Sequence, residues 1–105
     1  MFDAYQVQRA LRGHLADDDA MELLARDDAT GVYWVLTRRE LVLVKDSRVG
    51  ERIPRDRLAG IVDVTDLAVT ARVRGSDPRL TLVGTFRKPN RLTRALAELV
   101  GEVPR

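Results

Sequence analysis

The chain has 105 residues and a mass of 11.8 kDa, a length that suits one hydrophobic core and leaves no room for a second. Its 45% apolar and 32% charged residues are a globular balance that argues against intrinsic disorder, and no run approaches the roughly 18 apolar residues of a membrane-spanning helix. There is no cysteine, which removes disulfides, thiolate metal sites and cysteine nucleophiles, and a net charge of +2 is too small to indicate a nucleic-acid binder.

The pI near 9.5 reflects a preference for Arg over Lys, since guanidinium groups stay protonated at every relevant pH. Charge is unevenly spread. The first 28 residues are acidic, with Asp17-Asp18-Asp19 and Asp27-Asp28, whereas Arg87-Lys88-Pro89-Asn90-Arg91-Leu92-Thr93-Arg94 is purely basic in its charges. The start, Met1-Phe2-Asp3-Ala4, has neither a basic segment nor an apolar signal core, so a cytoplasmic location is expected.

Between Asp3 and Leu15, Ala4, Val7, Leu11 and Leu15 recur at intervals of three and four, which predicts an amphipathic helix that Gly13 can stop. From there the period changes to two. Met21 to Arg26 predicts a first strand, and the acidic turn Asp27-Asp28-Ala29-Thr30-Gly31 leads into a second over Val32 to Leu36. Thr37-Arg38-Arg39-Glu40 connects tightly to a third strand, Leu41 to Val44. After Lys45-Asp46-Ser47-Arg48 a short fourth strand ends at Pro54, a residue suited to an edge or an end.

Leu58 to Val64 predicts a fifth strand. In the sixth, Leu67, Val69, Ala71 and Val73 alternate with Ala68, Thr70, Arg72 and Arg74, the cleanest half-buried pattern in the chain. Gly75-Ser76-Asp77-Pro78 signals a turn before a seventh strand with Leu80, Leu82 and Phe86 on one face. Pro89 suits a first helical turn, Leu92, Ala95, Leu96, Leu99 and Val100 form an apolar stripe, and Gly101 can cap the end.

Seven short antiparallel strands followed by one amphipathic helix resemble the order of a pleckstrin-homology-like (PH-like) fold. Local sequence is also similar to bacterial PH-like domains of the YokE-like and GRAM-related kind. The resemblance is carried by the acidic lead Leu15 to Glu22, by Gly31 to Val44, by Ile53-Pro54-Arg55-Asp56-Arg57-Leu58 and by Ile61-Val62-Asp63-Val64, and it covers about residues 14 to 100, with Glu40 as a departure. It implies a mostly-β α+β fold, a seven-stranded antiparallel bent sheet or partly open barrel, with a C-terminal capping helix and an added N-terminal helix. A single domain over 1–105 is expected, with the helices at 1–16 and 89–101 and the strands between 20 and 87.

No enzyme is expected. The single histidine, His14, lies near a helix end with no nucleophile motif in view. The aspartate groups lack the ligand pattern of a calcium loop and read as solvated acidic turns. The glycines stand singly and form no phosphate-binding loop. No catalytic, metal or cofactor residue is therefore expected. In the stretch from Arg38 to Arg57, Glu40, Asp46, Glu51 and Asp56 interrupt the arginines, a solvated and internally paired surface rather than a nucleic-acid site.

Three binding readings follow. Val32 to Leu36 and Leu41 to Val44 are apolar at every position, so both faces of this hairpin need cover. One face meets the core, while the other needs the N-terminal helix, a second copy, or both. Protein contact or self-association, including a homodimer, is the leading expectation, through Tyr33, Trp34, Val35, Val42 and Val44. A peptide strand added beside the C-terminal helix is a related mode. The second reading is an anionic ligand or lipid headgroup held by Arg87, Lys88, Arg91 and Arg94. PH-like phosphoinositide binders usually place basic residues in the loop between their first two strands, and here that loop is acidic. A small molecule in the barrel mouth is a third, weaker reading.

Overall fold

The computed structural model describes residues 4–15, 19–64, 68–74, 81–87 and 91–99. In chain order it has helix α1 (Ala4–Leu11), strands β1 (Met21–Arg26), β2 (Tyr33–Thr37), β3 (Glu40–Lys45) and β4 (Arg48–Pro54), and a one-turn 3-10 helix at Arg55–Arg57. Strands β5 (Ala59–Val64), β6 (Ala68–Arg74) and β7 (Thr81–Arg87) and helix α2 (Arg91–Leu99) follow. The strands form two antiparallel sheets, β1-β2-β3-β4 and β5-β6-β7, each with open ends rather than a closed circle. Leu67, Leu80, the Gly75 to Pro78 turn, Pro89, Val100 and Gly101 lie outside the described residues.

The β2–β3 hairpin shows why an unbroken apolar run forms a strand here. Its register pairs Trp34 with Leu43, Val35 with Val42 and Leu36 with Leu41, so successive residues point to opposite faces. Trp34, Leu36 and Leu41 enter the core between the sheets, where they meet Ile53, Val73, Phe86, Leu92 and Leu96. Val35, Val42 and Val44 enter a second cluster on the far face, under Val7 and Leu11 of α1. The helix is thus the cover that the outer face of the hairpin requires.

Both helices are held by their apolar stripes. On α1 Val7 and Leu11, one turn apart, are the buried pair. The helix closes at Leu11, earlier than the sequence periodicity reaches. Gly13 adopts φ +85°, and the His14 N–H donates to the Leu11 carbonyl at 2.9 Å. Leu15 leaves the helix and packs half-buried in the second cluster. On α2 Leu92, Thr93 and Leu96 are buried, with Ala95 and Leu99 partly so, and the helix lies against β1, β5 and β6.

Close backbone approach dictates a glycine at position 60. It sits opposite Val73, and a Cβ there would lie 2.1 Å from the Arg72 carbonyl oxygen.

Two acidic positions expected to be solvated are structural. Asp27 is only 2% exposed. Its Oδ1 accepts from the Ala29 N–H at 2.9 Å and from the Thr85 N–H at 3.2 Å, while the Asp28 N–H donates to the Thr85 carbonyl at 2.8 Å. The acidic turn between β1 and β2 therefore ties one sheet to β7 of the other. Asp19 likewise accepts from the backbone N–H groups of Ala20 and Arg38, each at 2.8 Å, and from the Thr37 hydroxyl at 2.9 Å. The burial of Asp27 and the half-burial of Asp19 follow from available N–H donors, which offset carboxylate desolvation. Asp17 and Asp18 lie outside the described residues. Asp27→Ala strands the Thr85 and Ala29 donors, and a loss of about 1–3 kcal/mol in urea unfolding is expected. An unchanged midpoint would show the clip to be idle.

Candidate binding surface

In the stretch from Arg38 to Arg57 an ion pair, Arg52 with Glu40, joins two of the interleaved charges, and Arg55 reaches outside the stretch to Glu22. Arg52 grips Glu40 through two hydrogen bonds, Nε to Oε1 at 3.1 Å and Nη2 to Oε2 at 2.7 Å. The same Nη2 donates to the His14 carbonyl at 2.7 Å, which fastens the turn after α1 to β4. The hydrogen bond to Glu40 is the main cause that raises the Arg52 guanidinium above its ordinary pKa, against the lowering effect of burial. A raised pKa adds stability below the ordinary value and loses it only at extreme alkaline pH, so this clamp is insensitive to physiological pH. Arg55 Nη1 bridges Glu22 Oε1 at 2.9 Å and the Thr37 carbonyl at 2.7 Å. Glu40, the departure in the hairpin, is thereby absorbed: it opens β3 opposite Pro54 and turns its carboxylate to Arg52.

The five apolar residues expected at a protein interface divide between two sites. Trp34 is 1% exposed and stands edge-on to Phe86, with ring centroids 5.3 Å apart. Val35, Val42 and Val44 are buried beneath α1, and Tyr33 is half-buried at the margin of that cluster. In this arrangement the outer face of the hairpin reaches a second chain only when α1 lifts away. Trp34 faces the other way, into the core.

The basic residues are distributed differently. Arg87 ends β7 with its side chain 88% exposed, and its Nε lies 3.5 Å from Asp28 Oδ2. Lys88 lies outside the described residues. Arg91 and Arg94, one turn apart on α2, are both exposed, and neither forms an ion pair with a described residue. Together with Leu23, Ala95 and Glu98 they line a shallow cavity of about 180 Å³ between α2 and β1. Three of these residues, Leu23, Ala95 and Glu98, are not expected at a site from the sequence, where Ala95 belongs to the apolar stripe of the helix. The spacing Arg91, Arg94, Ala95, Glu98 does place four side chains on one helix face. The presence of Leu23 follows only from the packing of β1 against α2.

Chemically the surface offers two guanidinium groups, one carboxylate and an apolar floor next to β1, which ends its sheet. That is equipment for holding an anionic or extended partner. Among the described residues there is no group of three metal-ligating side chains, and no described helix is long and apolar enough to cross a membrane.

No family model matches the sequence. Solved structures similar to the chain include two bacterial proteins. One is a pleckstrin homology domain from Shewanella amazonensis SB2B, 16% identical over 88% of this chain and 93% of that one, with a TM-score of 0.61. Another is a DUF1696 family protein with a pleckstrin-homology domain from Shewanella loihica PV-4, 16% identical over 95% and 99% of the two chains, with a TM-score of 0.65. At such identity the likeness carries the fold alone. Two open antiparallel sheets, an added N-terminal helix and a helix near the C-terminus give this chain a PH-like fold, mostly sheet within the α+β class.

Proposed function

We propose that the domain is a non-catalytic binding or assembly module that takes a protein partner along the groove between β1 and α2. The observation that carries this reading is the groove itself. Arg91 and Arg94 stand exposed over the partly buried Leu23 and Ala95, beside a strand that ends its sheet. An extended segment laid there gains main-chain contacts from the strand and charge-assisted contacts from the helix. The YokE-like or GRAM-related kinship belongs to this same reading and rests on the sequence motifs alone.

A random seven-residue peptide array, read with and without Arg91→Ala and Arg94→Ala, tests it. Bound peptides should carry Asp or Glu and should shift the amide resonances of Leu23, Arg91, Arg94 and Ala95. The double variant should weaken them by roughly tenfold or more, as expected for two lost charge-assisted contacts. Peptides that bind both proteins equally would sink the reading.

A second reading uses the same arginines, with Arg87 and Lys88, for a lipid headgroup at an anionic membrane. Exposure of Arg91 and Arg94 favours it, and the acidic β1–β2 turn, tied down through Asp27, works against the usual phosphoinositide route. It requires salt-sensitive cosedimentation with phosphatidylserine vesicles, lost in the Arg91→Ala, Arg94→Ala variant. Self-association through Tyr33, Val35, Val42 and Val44 is a third mode and needs α1 to move first. A small molecule is a fourth mode, and for it this cavity of about 180 Å³ is small beside the roughly 300–1,000 Å³ of typical ligand pockets.

A further inference from the structure

We propose that the free edge of β7 at Thr81–Val83 is a second docking surface, a strand-addition site for an acidic extended segment of another protein. β7 ends the three-stranded sheet, so one side of its backbone has no partner among the described strands. The direction of its polar groups follows from Thr85. Both the N–H and the carbonyl of Thr85 bond outward, to Asp27 Oδ1 at 3.2 Å and to the Asp28 N–H at 2.8 Å. Alternate residues of a strand point their N–H and C=O groups the same way, and the β6–β7 register has no bulge to break the alternation. The N–H and C=O groups of Val83 and Thr81 therefore face the open side too. The acidic turn starts a ladder at Thr85, and no described strand carries it further along β7.

Side chains on the same stretch specify the partner. Val83 is 53% exposed, the one exposed large hydrophobic residue among those described. In register Arg72 stands opposite Val83 and Arg74 opposite Thr81, so all four side chains share the outer face of the sheet. Both arginines are exposed, and neither forms an ion pair with a described residue. The strands of this sheet hold Arg72, Arg74 and Arg87 against one acid, Asp63, whose register position is opposite Thr70. An added strand would lie two strand spacings from β6, about 9.6 Å. Arg and Glu side chains together span that gap, so carboxylates at alternate positions of the guest lie beside Val83 and Thr81 and meet Arg72 and Arg74, while the residues between them turn to the opposite face. A second copy is a poor guest, because pairing β7 with β7 gathers two sets of these arginines on one continuous face.

The probe is a capped eight-residue peptide alternating Glu and Val, compared with its Lys–Val counterpart and with a form N-methylated at alternate residues. Titration into the full chain, followed by amide resonances and amide exchange, should shift and protect Thr81 and Val83. N-methylation on the pairing side should abolish binding, and the Lys peptide should not bind. Arg72→Gln and Arg74→Gln should each weaken the Glu peptide by about two- to fivefold, the scale of an exposed ion pair. Val83→Pro removes an outward N–H at a sheet edge, where proline is tolerated, and should abolish binding while the melting temperature stays close to that of the parent. Should that variant not fold, the N-methylated peptide asks the same question of the unaltered protein. Equal binding of the Glu and Lys peptides, or resonance shifts confined to Arg91, Arg94 and Leu23, would overturn the proposal. So would a doubled mass that Val83→Pro abolishes, which would assign the edge to a second copy. Because the Arg91→Ala, Arg94→Ala variant leaves this edge intact, failure here and failure of the groove reading are separable.

Discussion

Trp34→Ala is expected to lower the unfolding free energy by about 3–5 kcal/mol, a large share of the roughly 5–15 kcal/mol that holds a domain together. Trp34 is the largest fully buried side chain, and its indole packs edge-on against Phe86 with the ring planes at 81°. The space it fills exists because β7 carries glycine at position 84. A Cβ there would sit 2.7 Å from Phe86 Cζ and 2.8 Å from Trp34 Cε2 and Cζ2. Gly84→Ala should therefore cost about 1–3 kcal/mol on its own, as overpacked cores do. Its cost should fall when Trp34 is replaced by Leu, which withdraws the indole atoms that the new methyl meets. Urea unfolding of the two single variants and the double variant measures this coupling, and strict additivity would show that Gly84 does not make room for the ring. Trp34→Asp would report on folding rather than on any contact between chains, since that carboxylate would be placed in the core without a donor.

The order of elements was legible because the two periods are strong. Alternation of Val69, Ala71 and Val73 with Thr70, Arg72 and Arg74 marks β6 without help from any other part of the chain, and burial follows the same alternation. The hairpin was legible in kind but not in partner. Two apolar faces announce that both need cover, yet nothing local to Val35 or Val42 says whether the cover is α1 or another chain. Trp34 illustrates the same limit: a large ring in an all-apolar strand reads equally as core or contact until the register assigns its face.

Long-range polar contacts were not legible. Asp27 meets Thr85 across 58 residues of sequence, and Asp19 meets Thr37 across 18. Read locally, an aspartate in a turn is a solvated aspartate; only the approach of β7 supplies the donor that makes burial favourable. The groove was half-legible for a related reason. The spacing of Arg91, Arg94, Ala95 and Glu98 defines a helix face, while Leu23 joins it from β1, nearly 70 residues earlier in the chain. Alternating signs allow a pair such as Arg52 with Glu40, but they do not point to Glu22, which reaches Arg55 from β1, outside the alternating stretch.

Removing the apolar grip of α1 should turn a self-contained domain into one that associates. Val7 and Leu11 are the buried residues described on this helix, and a helix of eight residues is too short to persist without such packing. In Val7→Ser, Leu11→Ser the helix should detach, and Val35, Val42 and Val44 should meet water. Fully burying side chains of this size is worth about 1.5–3 kcal/mol each, so the exposed face has a strong drive to find another surface. Light scattering after size exclusion should then report a multiple of 11.8 kDa that grows with concentration, together with a stability loss of at least about 3 kcal/mol. Arg52→Ala should act in the same direction but weakly, since it removes the hydrogen bond to the His14 carbonyl and leaves the apolar contacts in place. Adding Val42→Thr to the double variant should reduce association, because its hydroxyl makes the face that α1 vacates less apolar. If the double variant keeps both the mass and the stability of the parent, α1 is not the cover of this hairpin, and the exposed apolar surface would have to be sealed by another part of the chain.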